Sequence, residues 1–296
     1  MPSDEMAFIL DMMRNAPPST GGVEERRAGL EATTGTLQPP PGTEIELIEF
    51  DDFDAEWIHG PEVGDDGALL YLHGGGYCIG SIASHRSLAS RLSAASGLAV
   101  LLPGYRLAPE DPFPAGLDDA VVAYEWMVQR GFAPSRLAIA GDSAGGGLTL
   151  ATLLRLRDGG AELPAAAALL SPWTDLTQSG PSMTANATKD PMVGKDDLDE
   201  YAAWYAGDAD PAGPLLSPVF ADLGGLPPMI IQVGEPETLL DDATRTAATA
   251  EAAGVDVTLD VWPEVFHVWQ ASAGMTPEGD RAAEALGSFL AGQLTG

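Results

Sequence analysis

LAIAGDSAGG, residues 137–146, is the stretch on which the fold turns. Leu137–Ala140 is an apolar run of strand length, and Gly141-Asp142-Ser143-Ala144-Gly145 follows it directly. The pattern fits a strand that turns sharply into a helix with a serine at the tip, since a side chain at either glycine would crowd so tight a turn. Such an elbow holds the serine oxygen clear of a sheet. It also sets the next backbone N–H at a helix N-terminus, where developing negative charge is favoured. G-x-S-x-G arises by chance in Gly/Ala-rich segments, so its meaning depends on its surroundings.

Outward from this stretch, short apolar runs alternate with longer helical segments. The spacing predicts strands at Ala68–Leu72, Ala99–Leu102, Leu137–Ala140, Ala166–Leu170, Met229–Val233 and Val257–Val261. Helices are expected at Ser84–Ser96, Leu117–Gln129, Gly146–Arg157, Asp241–Ala253 and Pro277–Leu294. Nearly continuous apolar strands in this alternation predict an α/β fold, a mostly parallel sheet covered on both faces. Function in such sheets gathers at the carboxyl ends of the strands. Upstream, Glu5–Arg14 and Glu24–Thr33 read as helices, and Pro39-Pro40-Pro41-Gly42 as a linker. The polar–apolar alternation of residues 44–50 predicts a half-buried antiparallel strand, with Ala55–His59 as its partner. Residues 176–215 break the rhythm with Ser/Thr/Asn/Asp/Pro clusters and one amphipathic helix, Asp197–Tyr205, as expected of a cap over the strand ends.

Composition excludes several function classes. The 44 acidic residues against 14 basic ones give a net charge of −30, which repels nucleic acid and anionic membranes. A solvated acidic surface is the plain reading of that charge. No apolar run reaches the ~20 residues of a membrane span. The start MPSDEMAFILDMMRN lacks the basic and apolar regions of a signal peptide, so cytoplasmic residence is expected. A single cysteine, Cys78, excludes an intramolecular disulfide, and four histidines without ligand spacing argue against zinc.

Four segments at strand ends carry the candidate chemistry. His73-Gly74-Gly75-Gly76 lets the backbone approach a ligand and point N–H groups into a cleft, as an oxyanion hole requires; it does not match a nucleotide loop. Ser143 needs a base, because a free hydroxyl is a weak nucleophile at neutral pH. Of His59, His73, His85 and His267, only His267 lies in the loop after the last strand, at the right end of the sheet. The acid that would orient it falls in Gly234-Glu235-Pro236-Glu237-Thr238-Leu239-Leu240-Asp241-Asp242, which offers four carboxylates. Asp241 and Asp242 also suit a helix N-terminus, leaving Glu235 and Glu237 nearer the strand end. The order serine, acid, histidine is that of an α/β-hydrolase. Tyr105-Arg106-Leu107-Ala108-Pro109-Glu110 reads as a structural loop, with an Arg106–Glu110 ion pair expected behind the glycines.

Taken together, HGGG (73–76), YRLAPE with PFPA (105–115), GDSAGG (141–146), SPWTDL (171–176), ADLGGLPPMIIQVG (221–234) and FHVW (266–269) resemble the hormone-sensitive-lipase-like esterases of the α/β-hydrolase superfamily. The resemblance covers roughly residues 60–290. It implies a core of about eight strands from 44–177 and 216–296. It also implies a helical cap in two parts, 1–43 and 178–215. It implies Ser143 as nucleophile, His267 as base, and an oxyanion hole from the N–H groups of Gly75, Gly76 and Ala144, with Gly74 as an adjunct. The family's acid-x-Leu-x-Asp motif matches Glu237-Thr238-Leu239-Leu240-Asp241, which puts Glu237 at the acid position in place of the commoner aspartate; Glu235 and then Asp241 are the runners-up. Gly104 replaces an aspartate found in many members. Met12, Met13, Tyr77, Met192, Trp204 and Tyr205 are candidates for the substrate pocket.

The activity implied is carboxylesterase action on short- to medium-chain acyl esters, with water as co-substrate and neither cofactor nor metal. Alternatives on the same site are an amidase or a hydrolase of one specialised ester. A non-catalytic ligand-binding relative is disfavoured, because such proteins typically lose the histidine that His267 supplies. Dimers are common in the family, so a homodimer is an expectation of the resemblance alone.

Overall fold

The structure, a computed structural model, describes residues 1–16 and 21–294; residues 17–20 of the expected N-terminal cap segment lie outside the described residues. Two helices come first, α1 (Asp4–Asn15) and α2 (Val23–Thr34), followed by the antiparallel strands β1 (Glu44–Glu49) and β2 (Asp54–His59). Then β3 (Ala68–Leu72), α3 (Ile82–Ser96), β4 (Ala99–Pro103), α4 (Ala115–Gln129), β5 (Leu137–Asp142), α5 (Ala144–Asp158) and β6 (Ala166–Leu170) alternate. After an excursion through α6 (Ser182–Ala185) and α7 (Lys195–Ala206), the alternation resumes with β7 (Met229–Gly234), α8 (Leu240–Ala252), β8 (Val257–Trp262) and α9 (Pro277–Leu294). The eight strands form one sheet in the order β1-β2-β4-β3-β5-β6-β7-β8, parallel from β4 onward.

Successive residues of the central strands bury on opposite faces, which is why they carry no polar alternation. Leu70, Leu72, Leu137 and Ile139 point into the layer of α4, α5 and α8, against Leu117, Leu148 and Ala243. Leu69, Tyr71, Ala138 and Ala140 point the other way, into α3 and α9, against Leu88, Leu92, Leu286 and Leu290. The expected half-buried β1 pairs with β2 as read, Ile48 opposite Ala55, but it is almost wholly exposed. It has a neighbour on one side only, so Ile45 and Leu47 stay in solvent. At the other edge β8 is partly exposed for the same reason, unlike the covered strand its apolar run suggests.

Around the elbow the backbone is tightly packed. Ser143 has φ 53°, unusual for a residue with a side chain and costing on the order of 1–3 kcal/mol. The conformation is held from both sides: the Ser143 N–H donates to Leu170 O at 2.8 Å, and its carbonyl accepts from Trp173 N at 2.8 Å and Gly146 N at 3.0 Å. A Cβ at Gly145 would lie 2.0 Å from Leu72 O and 2.6 Å from His73 O; one at Gly141 would lie 2.2 Å from Gly145 O. The obstacles are backbone atoms, which cannot rotate aside. Gly145→Ala is therefore expected to destabilise the protein by about 3 kcal/mol or more, the upper end for an overpacked core. Denaturant titration checks this, and a change under about 0.5 kcal/mol would show that the elbow has room to relax.

Candidate active site

Ser143 ends its turn on the wall of a cavity of about 390 Å³, which His267 also lines. The histidine sits in the loop after β8, where Val265, Phe266 and Trp269 pack with Met6 and Leu10 of α1. That helix is fixed in turn by Ser3, whose hydroxyl accepts from Met6 N at 3.1 Å and donates to Glu278 Oε2 of α9 at 2.7 Å.

The segment after β7 carries four carboxylates, and their positions separate them. Glu237 Oε2 lies 2.7 Å from His267 Nδ1, with both groups buried. Facing a carboxylate, Nδ1 carries the proton, which leaves Nε2 with the lone pair a base needs. The other oxygen of Glu237 accepts from Ser171 Oγ at 2.7 Å and from Gly234 N at 2.5 Å. Ser171 Oγ also accepts from Val268 N at 3.2 Å, so one hydroxyl joins the acid loop to the histidine loop. Glu235 lines a separate surface depression with Arg14 and Lys189. Asp241 accepts from Ser182 N at 2.6 Å, and Asp242 from Thr174 N at 2.8 Å and Asp175 N at 2.9 Å. Both therefore anchor other loops to the start of α8.

Burial pushes the His267 imidazolium toward deprotonation, but its hydrogen bond to Glu237 and that carboxylate's charge outweigh this, and its pKa is raised above the ordinary value. Burial also raises the Glu237 carboxyl, against the opposing pull of His267 and Ser171.

In the glycine loop, Gly75 (φ 115°) and Gly76 (φ 60°) take conformations that favour glycine. Gly75 O accepts from Cys78 N at 3.0 Å and Ile79 N at 2.8 Å, which fixes the loop. Neither N–H of Gly75 or Gly76 donates to a protein backbone acceptor among the described residues. The Ala144 N–H is one of the first-turn donors that a helix cannot pair internally. The Gly74 N–H is already used: it donates to Asp142 Oδ1 at 3.1 Å, so Gly74 is not a free adjunct donor. His73 is buried, its ring stacked 4.2 Å from that of Tyr105, and burial lowers its pKa to about 3. It is neutral and structural.

Of the pocket candidates, Met13 and Met192 line the cavity. Met12, one residue round the helix from Met13, is exposed. Tyr77 and Tyr205 lie outside the wall, their buried rings stacked on each other at 3.8 Å. Trp204 faces Tyr201 and Arg26 instead of the cavity. The expected Arg106–Glu110 pair is also absent. Arg106 Nη2 meets Asp119 Oδ1 of α4 at 2.6 Å, and Glu110 pairs with Arg27 of α2 at 2.7 Å. Asp119 is buried directly beneath the loop, whereas Glu110 is half exposed and turned toward α2.

Residues not singled out from the sequence also line the wall, among them Arg26, Leu30 and Thr33 from α2, and Asp197, Leu198 and Tyr201 from α7; Asp142 and His85 reach it from beside the elbow. Each helix's set recurs at three- and four-residue spacing, a helical face that periodicity could have shown. Arg26 joins the two helices, with Nη2 2.7 Å from Glu200 and Nη1 3.2 Å from Asp197. Tyr201 roofs the glycine loop so closely that a Cβ at Gly76 would lie 2.6 Å from its ring. No cluster of His, Cys, Asp and Glu able to hold a metal occurs among the described residues. No described helix is long and apolar enough to cross a membrane.

A serine at a strand–helix elbow, a histidine after the last strand and a buried acid after the strand before it define a hydrolase of the α/β class. The profile of the alpha/beta hydrolase fold matches residues 69–271. An acetyl-hydrolase of Streptomyces hygroscopicus is 44% identical over 294 residues, covering 98% of this chain and 97% of that protein. The crystal structure of EstE5 soaked with p-nitrophenyl butyrate superposes with a TM-score of 0.95 at 41% identity, covering 99% of this chain and 100% of that one. A crystal structure of an esterase from the bacterial hormone-sensitive lipase family gives a TM-score of 0.95 at 45% identity, covering 99% of both chains. The chain belongs to this hormone-sensitive-lipase family of α/β hydrolases.

The Glu237 contact predicts a titration. The His267 ring, followed by nuclear magnetic resonance, should have its midpoint above the ordinary histidine value of about 6.5. In Glu237→Gln the carboxylate is gone while the burial remains, so the midpoint should fall below that of the parent. An unchanged midpoint would mean that Glu237 does not control the imidazole.

Proposed function

We propose that this protein is a carboxylesterase that cleaves short- to medium-chain acyl esters through Ser143, His267 and Glu237. The observation that carries the reading is the buried 2.7 Å contact between Glu237 and His267 beside the cavity that also holds Ser143. His267 Nε2 takes the Ser143 proton as Oγ attacks the ester carbonyl carbon. The carbonyl oxygen, now negative, receives hydrogen bonds from the N–H groups of Gly75, Gly76 and Ala144, and α5 adds its N-terminal dipole. The imidazolium, stabilised by Glu237, returns its proton to the leaving alcohol. Water activated by the same nitrogen then releases the acid and restores Ser143.

Support for the substrate class comes from the cavity. Its volume sits at the small end of small-molecule sites, and Met13, Leu30, Met192 and Leu198 offer an apolar wall to an acyl chain. The two excursions from the sheet, 1–43 and 178–215, read as one cap in two parts. In favour of this are the Arg26 ion pairs between α2 and α7 and the presence of both helices on the cavity wall. The names and titles of the relatives, acetyl-hydrolase and esterase, agree with ester cleavage.

Ser143→Ala should lower p-nitrophenyl butyrate hydrolysis at least about 1,000-fold while the circular dichroism spectrum stays that of the parent. Activity within tenfold of the parent would overturn the assignment. The pH profile follows from the raised pKa of His267. A base must be neutral to accept a proton, so kcat/KM should rise with pH and reach half its plateau above about 6.5. An acid limb centred well below that value would contradict the role given to the His267–Glu237 pair.

A further inference from the structure

We propose that Asp142 is a positioning residue that ties together the two halves of the oxyanion hole. The inference rests on the reading of Gly75, Gly76 and Ala144 as the donors. Those donors come from two separate chain segments, the loop after β3 and the start of α5, and catalysis needs both aimed at one oxygen. Strands β3 and β5 hold the segments in register as far as the pair Leu72–Gly141, where the ladder ends. One residue further, Asp142 continues the connection through its side chain. Its Oδ1 accepts from the Gly74 N–H at 3.1 Å, immediately before the two glycine donors, while its own backbone leads through Ser143 to Ala144.

The carboxylate is built into place. Tyr71 OH donates to Oδ1 at 2.7 Å, and His85 Nε2 lies 3.3 Å from Oδ2. The side chain is buried, and burying a carboxylate is costly unless its oxygens are satisfied, so a residue serving only to pack would be apolar here. The charged and titratable groups against it are His85 from α3, His73 and Tyr71 from β3 and its loop, and Tyr105 beyond, and its charge also reaches His267 across the cavity. Gly74 makes the approach feasible, since a Cβ there would lie 2.2 Å from Asp142 Oδ2. The glycine at position 74 is thus explained by contact with the tie and needs no role in touching substrate.

The test compares Asp142→Ala and Asp142→Asn with the parent on p-nitrophenyl butyrate and on a trifluoromethyl ketone, which forms an oxyanion on Ser143. A donor moved by about 1 Å costs roughly 100-fold, so Asp142→Ala should lose about that factor in kcat while KM stays within about threefold. Its inhibition constant for the ketone should rise by a similar factor. Asp142→Asn keeps an acceptor for the Gly74 N–H and should recover most of the loss. If Asp142→Ala does not fold, Gly74→Ala strains the same link from the other side and should show the same pattern. The tie is overturned if kcat falls without weaker ketone binding, if KM rises in step, or if Asn is no better than Ala. Ser143→Ala separates the two readings. A dead Ser143→Ala beside fully active Asp142 variants rejects the tie alone, and an active Ser143→Ala rejects the catalytic reading beneath it.

Discussion

Helix α5 starts so close to the end of β3 that nothing larger than a hydrogen fits at Gly145, where a methyl group would overlap the carbonyls of Leu72 and His73. The rest of the site depends on that approach. It forces the chain to reverse within a few residues at Ser143 and sets the serine on the wall of the cavity. It also brings the first N–H groups of α5 alongside the glycine loop after β3. The strained φ of Ser143 follows from the same crowding, and hydrogen bonds to Leu170 of β6 and from Trp173 in the loop after it hold the turn closed.

Around this elbow two buried carboxylates divide the work. Glu237 is tied to His267, Ser171 and Gly234, and raises the basicity of the imidazole. Asp142 is tied to Tyr71, Gly74 and His85, and spans the two donor segments. Each sits on a short loop or strand end whose backbone is bonded elsewhere, so neither carboxylate can swing out to water. Loss of one partner from a buried charged pair typically costs 3–5 kcal/mol, so the geometry is stiff where the chemistry needs it.

Much of this was legible in the sequence because it rests on short-range rules. The elbow is written in Gly141, Ser143 and Gly145, and the two-sided sheet in apolar runs without alternation. Position near the strand end favours Glu235 and Glu237 over Asp241 and Asp242, and a motif match sets Glu237 apart from Glu235; their chemistry is the same, and only the turn after β7 separates them in space. The cavity wall was harder to read. Met13 and Met192 lie on it, but Tyr205 and Tyr77 turn away to stack on each other, and Arg26 and Tyr201 take the wall. Periodicity can show the faces of α2 and α7 that carry Arg26 and Tyr201, but which face meets the cavity depends on how the two helices meet, a long-range contact. Arg106 likewise passes over Glu110, four residues away, for Asp119, which α4 places beneath it.

The most direct test of the account is to stop a p-nitrophenyl butyrate reaction in acid within the first turnover and map the bound acyl group by peptide mass spectrometry. A butyryl ester on Ser143, in an amount approaching one per chain and absent from Ser143→Ala, is the expected result. Turnover with no acyl-enzyme, or with the acyl group on another residue, would contradict it.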